Sequence, residues 1–177
     1  MTMLELFNNA LMPFDARISD LELDYDCAYT KEARACHLAF PQAVRACMAE
    51  WAWSWAQTKL DLDYSADVPG RGYQHGYALK SVNLEKVVRV NENESPFEVV
   101  GGRLYTDESE PEVWGILKNV YSPDDSCPCP EVFHSLVASR MIMLMVGMIA
   151  PTNTSIYQYG ATEYATLLRA LKEGEMR

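Results

Sequence analysis

The sequence is poor in the residues that usually announce chemistry. It holds three histidines, His37, His75 and His134, spaced far apart. An acid–base pair built on one of them needs a partner that only the fold can bring near. Glycine is sparse and forms no phosphate cradle: GRGYQHG at 70–76 has neither the spacing nor the Lys-Ser/Thr of a P-loop. No G-x-S-x-G turn occurs, which removes the nucleophile-elbow hydrolases. Positive charge is short, 15 Lys and Arg against 25 Asp and Glu, for a net charge of −10. Affinity for nucleic acid comes largely from Lys and Arg displacing counterions, so tight or sequence-specific nucleic-acid binding is not expected. The opening MTMLELFNNALMPFDAR carries Glu5 where a secretory signal has basic residues, and no signal peptide is expected. The longest apolar run, MIMLMVGMIA at 141–150, is too short for a bilayer, so no membrane partner is expected.

Five cysteines make an odd set: Cys27, Cys36, Cys47, Cys127 and Cys129. Reduced thiols in a cytosol are the natural reading. Two zinc groupings can be drawn, Cys36-His37 with Cys27 and Cys47, and Cys127-Pro-Cys129 with His134. No C-x₂₋₄-C pair has a partner pair at suitable spacing, and the plainer reading is ordinary packed or surface thiols. The acids at 20–26 open like a calcium loop but lack Gly at the sixth position and have Lys31 at the twelfth. DLDYSAD at 61–67 fails in the same way. No metal and no cofactor are expected, and each histidine reads most simply as a surface or capped core residue.

What is present is an ordinary globular balance, 49% hydrophobic and 23% charged, in a chain long enough to bury a core. One domain over 1–177 is expected. Residues 2–12 read as a short helix stopped by Pro13. At 20–26, acids Asp20, Glu22, Asp24 and Asp26 alternate with Leu21, Leu23 and Tyr25, which predicts an extended segment with one wet face. Thr30 looks like an N-cap, and Ala33, Cys36, Phe40, Val44, Cys47 and Trp51 mark one face of a helix to about 51, kinked by Pro41. The middle, about 57–122, is strand-like, with GYQHGYALK, LEKVVRV and the weaker EVWGILKNVY. Within it PFEVV and RLYTD flank Gly101-Gly102, a two-residue hairpin turn. A helix from Glu131 to about Ile149 ends before Pro151. Thr154 or Ser155 caps a last helix with Tyr157, Tyr164, Leu168 and Leu171 on one stripe. The fold class is therefore α+β: a helical frame from 1–56 and 130–177, its N-terminal and C-terminal helices packed together, around a β-rich insertion at 57–122.

Three tryptophans at every second position, Trp51, Trp53 and Trp55, cannot share one face of a helix, because two residues turn it by about 200°. They read as a structural junction between the second helix and the first strand, their rings plugging the corner where helices meet a sheet. The alternative is a choline or sugar cage.

Quoted in order, ALMPFDARISDLE, AYTKEARACHLAFPQAVRACMAEWAWSWA, GYQHGYALK with LEKVVRV, FEVVGGRLYTD and CPEVFHSLVASRMIMLMVGMIAPTNTS form a series. The series resembles the tail tubular protein A family, the head-to-tail adaptors of short-tailed, podovirus-type bacteriophages. It spans about 10–173 in the family's order, and the order carries the likeness rather than any one motif. Phe14 stands where a glycine usually follows the opening helix, so a different turn is expected there.

The resemblance implies a structural virion protein of the tail or neck, not an enzyme, assembled in the host cytoplasm. It implies a twelve-subunit ring of this chain docked on the portal protein. The ring offers a platform to the tail nozzle protein and often a tail fibre, with DNA passing through its bore. Twelve copies at −10 sum to on the order of −120 charges, which would repel DNA if turned inward. Asp20, Glu22, Asp24, Asp26, Asp61 and Asp63 are the candidate bore or ring-edge acids. Tyr164, Leu167, Leu168, Arg169, Leu171 and Lys172 are the portal-contact candidates, with truncation after residue 160 expected to leave a folded chain that no longer joins portal. Gly101, Gly102 and Arg103 are the tail-side candidates. The Met-rich segment 141–150, apolar nearly all round, is read as core, with a partner surface as the other option. The competing function is a small glycan-binding or hydrolytic module using the tryptophans with Glu50 and Asp61, which would have to flank one sugar-sized cleft.

Overall fold

A computed structural model describes residues 1–64, 72–80, 83–92, 94–118, 120–123 and 128–175. Cys127 and the 65–67 part of the second acidic stretch lie outside these residues, as do Gly70 and Arg71. The architecture is α+β, with helices at both ends of the chain and two antiparallel sheets in its middle. The chain divides into two compact units, Met1–Trp53 with Tyr121–Arg177, and Ser54–Val120.

Among its described residues the first unit holds four α-helices: α1 (Met3–Leu11), α2 (Lys31–Ala49), α3 (Glu131–Ile149) and α4 (Thr154–Glu175). α1 starts on a capping box, in which Thr2 Oγ1 accepts from the Glu5 amide and Glu5 accepts from the Thr2 amide. Its Leu6, Phe7, Ala10 and Leu11 are buried. Thr30 caps α2 as expected, its hydroxyl accepting from the Ala33 amide at 3.2 Å. α2 turns small residues inward, Ala33, Cys36, Ala39, Ala43 and Cys47, and its axis can therefore approach α3 closely. Phe40 and Val44, expected on that stripe, are only half-buried. Pro41 lies on the exposed side and α2 runs through it unbroken.

α3 is the centre of this unit, packing against α1, α2 and α4. That position explains why it is apolar nearly all round, and Met141 and Met145 are wholly buried. By length and composition its 19 residues suffice to cross a membrane, which the ten-residue run within it did not suggest. Burial among three helices, with Arg140 and His134 along it, accounts for the same apolarity. Gly160 of α4 lies against α3: a Cβ there would meet Ile142 at 3.0 Å and Met143 at 3.2 Å. Asn153, rather than Thr154 or Ser155, caps α4, its side chain accepting from the Ile156 amide at 3.4 Å.

The acidic stretch is not extended. It forms two 3₁₀ turns, Asp20–Leu23 and Tyr25–Cys27. Local capping overrides the period-two pattern. Ser19 and Glu22 make a capping box, and Asp24 accepts from the Asp26 amide at 3.1 Å. The alternating apolar residues gain little burial in return, since Leu21 is 79% and Tyr25 64% exposed and Leu23 is only half-buried. At the end of the opening helix a 3₁₀ turn over Met12–Phe14 leaves the left-handed conformation to Asp15, at φ 52°. Asp tolerates this better than most residues.

Among its described residues the second unit holds a 3₁₀ turn over Ser54–Ala56 and is otherwise built of strands and their connections. One sheet has the order β1–β7–β4, from Gln57–Lys59, Val113–Leu117 and Leu84–Val90. The other has the order β2–β3–β6–β5, from Leu62–Tyr64, His75–Leu79, Arg103–Thr106 and Phe97–Val100. Leu60, Tyr77, Val90, Leu104 and Val113 form its core, with Leu84, Val87 and Phe97 packed on them. Gly101 and Gly102 take φ of 59° and 76°, so the hairpin turn has positive φ at both central residues. β7 pairs β4 through two register shifts, a bulged ladder that blurs strict alternation in EVWGIL.

Candidate functional site

The tryptophans lie between the last residue of α2 and the first of β1, but they do not act as one group. Trp53 is wholly buried in the helical unit. Its ring meets Phe133 edge-on at 5.3 Å, and its Nε1 donates to the Cys47 carbonyl at 2.9 Å. Trp51 is half-buried beneath the Lys172 ammonium, 5.3 Å from its ring centroid. Trp55 belongs to the β unit. A ligand cage needs open aromatic faces, and the central ring of the three has none.

The portal-contact candidates on α4 divide by face. Tyr164 and Leu171 are buried within the helical unit itself. Tyr164 donates to Glu50 Oε1 at 3.2 Å and lies under the Arg140 guanidinium at 5.5 Å, and burial pushes its phenol pKa up. Leu167, Leu168 and Lys172 are half-buried, and Arg169 is exposed. Tyr157 belongs to the stripe by spacing but stands 47% exposed, because burial along α4 begins only at Gly160. Truncation after residue 160 would therefore strip core residues, and cannot serve as the clean surface test expected of it. The free surface of α4 is the other side, where Ala161, Thr162, Ala165, Thr166 and Arg169 line a shallow hollow.

The acid candidates are partly committed. Glu22 accepts from Thr30 Oγ1 at 2.6 Å and from Ser19, and the Thr30 hydroxyl bond holds its carboxyl below the usual range. Asp63 pairs with Lys80 at 2.8 Å. Asp20, Asp24, Asp26 and Asp61 are exposed. Gly101 and Gly102 are exposed at the hairpin tip, and Arg103, half-buried, opens β6 opposite Val100. Of the carboxylates proposed for hydrolysis, Glu50 is taken up by Tyr164 and by Lys172 at 3.9 Å, and Asp61 belongs to the other unit.

Cys36 and Cys47 are buried, and burial raises both thiols to about 12. Cys36 Sγ lies 3.7 Å from Met145 Sδ, in the packing role expected of it. Among the described residues no cluster of three or more His, Cys, Asp or Glu could hold a metal ion. His37 bonds the Glu22 carbonyl at 2.8 Å, and both Phe7 and Tyr25 meet its ring edge-on. His134 is buried between Tyr121 and Cys129.

Two features were not foreseen. Tyr29, Lys31, Arg34, Ala35, Leu38 and Met148 surround a hollow of about 360 Å³, with Tyr29 and Leu38 well exposed. The exposure of Tyr25 and Tyr29 follows from the 3₁₀ turns, which the alternation concealed. The other is the bonded row Tyr121–His134–Cys129, whose only trace in the sequence was the Cys/His spacing read as a poor zinc site. No protein-family model matches the chain, and no curated protein matches it.

Proposed function

We propose that this chain is a structural head-to-tail adaptor of a short-tailed bacteriophage virion. It forms a ring on the portal protein and presents a platform to the tail nozzle protein and tail fibre, with the genome passing through the bore. Support comes first from the ordered series of segments spanning 10–173. A chain of this kind works by its surfaces and needs no catalytic pocket. The observation that carries the reading is the one-sided burial of α4. This 22-residue helix buries Gly160, Tyr164 and Leu171 and leaves a continuous face from Thr162 to Arg169 open along its length. A helix face of small residues ending in an arginine suits docking of a second helix or strand at short range. Ring subunits meet head to tail, so each copy offers two unlike surfaces.

The competing glycan or hydrolytic reading loses its aromatic platform with the burial of Trp53, and its carboxylate pair with the commitment of Glu50. The test is to mix the purified chain with candidate portal rings and image the product. Rings of this chain seated on portal are expected, and Thr162→Arg with Arg169→Glu, both on the open face of α4, should abolish docking at unchanged melting temperature. Failure of the unaltered chain to join any portal of a short-tailed phage would retire the proposal. Docking by the double variant at full affinity would retire the α4 assignment alone.

A further inference from the structure

The row Tyr121–His134–Cys129 has the layout of an activated nucleophile: a thiol, an imidazole beside it, and a third group holding the imidazole. Cys129 Sγ lies 3.6 Å from His134 Nε2, and the Tyr121 hydroxyl lies 2.8 Å from His134 Nδ1. The local fold explains the meeting. Helical side chains lean toward the N-terminus, so the ring of His134, one turn into α3, reaches back over the start of the helix. Cys129 immediately precedes Pro130, the N-cap, and Pro130 O accepts from the Phe133 amide at 2.8 Å, which tightens that turn. His134 is 5% and Tyr121 7% exposed, and Tyr121 stacks edge-on against Phe133 at 5.3 Å. The imidazole is thus clamped, while the thiol at the end of the row is half-exposed.

We propose that Cys129 is a reactive thiol that undergoes thiol–disulfide exchange with small disulfides, with His134 as its base and Tyr121 as the positioning residue for that base. The inference does not depend on the adaptor reading. In the tautomer with Nδ1–H donating to the Tyr121 oxygen, Nε2 presents its lone pair to the thiol. Cys129 gives its proton to Nε2, and the thiolate attacks one sulfur of R–S–S–R. The new bond is Cys129–S–S–R. The R–S–S–R bond breaks, and RS⁻ departs with its electron pair and takes the proton back from His134. Cys129 is oxidised to half of a mixed disulfide and one RS group is reduced to RSH. Burial lowers the His134 pKa, which leaves the ring neutral at rest and opposes the imidazolium that forms when it takes the proton. The amino terminus of Met1 acts in the same direction, and Glu131 in the same turn favours the imidazolium once formed. The start of α3 adds its positive end close to the developing thiolate. Cys36 and Cys47, wholly buried, offer the contrast inside the same molecule.

The experiment treats the reduced full-length chain with 4,4′-dithiodipyridine between pH 5.5 and 9 and maps the modified cysteine by mass spectrometry. One thiol, Cys129, should react first, at least about 10-fold faster at pH 6.5 than a thiol of ordinary pKa in an unstructured peptide. Cys129→Ser should remove the fast phase and Cys127→Ser should leave it. His134→Gln should slow it about 10-fold and move its pH midpoint up toward the ordinary thiol value. Tyr121→Phe, which keeps the ring packing, should slow it several-fold with little change in melting temperature. If His134→Gln fails to fold, the pH profile of the unaltered chain and the Tyr121→Phe rate decide the matter. Fast labelling at another cysteine, or a Cys129 rate that follows an ordinary thiol profile and ignores Tyr121→Phe, would overturn the proposal.

Discussion

At the scale of single residues, stability rests on side chains whose polar atoms are satisfied inside the helical unit. Trp53 packs its ring on Phe133 and gives its indole N–H to Cys47 O. Trp53→Ala should cost about 3–5 kcal/mol in chemical denaturation. Trp53→Phe keeps most of the packing and removes one of two hydrogen bonds to that carbonyl, which still accepts from the Glu50 amide at 3.3 Å, and should cost about 1 kcal/mol. A loss under 1 kcal/mol for the alanine variant would mean that the ring is not a core element. The buried thiols set an alkaline limit. Burial raises Cys36 and Cys47 from the usual 9.0 to about 12, so the folded chain holds protons that the unfolded chain releases. Their stabilising effect is complete below pH 9 and is lost as pH rises toward 12, at up to about 1.4 kcal/mol per pH unit for each thiol. Melting curves should show this fall, and Cys36→Ala with Cys47→Ala should flatten it.

At the scale of elements, two glycines mark where a neighbouring element leaves little room for a side chain. Gly160 lets α4 lie against Ile142 and Met143 of α3. In the β unit, a Cβ on Gly115 of β7 would stand 2.7 Å from Leu60 Cδ1 and 2.9 Å from the Lys86 carbonyl. Gly115→Ala presses on backbone and should cost about 1–3 kcal/mol, whereas Gly160→Ala presses on side chains that can yield and should cost less. Equal losses in a paired denaturation experiment would contradict this ranking. The elements also show where a sequence pattern is readable. The Gly101-Gly102 hairpin was legible because the turn type demands positive φ at both positions, a local requirement. The 20–26 segment departs from its pattern because its alternation is real but carries little burial. Ser19, Glu22 and Asp24 could satisfy the backbone within a few residues, and nothing distant competed.

At the scale of the whole molecule, charge is the property that survives without reference to any contact. A net charge of −10 on every copy makes chain-to-chain association self-repelling. In the ring proposed above, self-association should strengthen as salt rises from about 10 mM to 150 mM, where the screening length shortens from roughly 30 Å to 8 Å. Sedimentation at several ionic strengths checks this, and association that weakens with salt would point to ion pairs between unlike faces.

The order of helices, strands and helices, the cap at Thr30 and the hairpin turn were determined by the sequence alone, because each depends on residues within one turn or one strand pair. The tertiary structure decided which apolar stripe is spent inside. It took Tyr164 and Leu171 into the helical core, left the Thr162–Arg169 face open, and drew Cys129, His134 and Tyr121 into one row. Local periodicity states that a residue seeks burial or a partner. Which partner it meets depends on elements far along the chain, and only packing chooses among them.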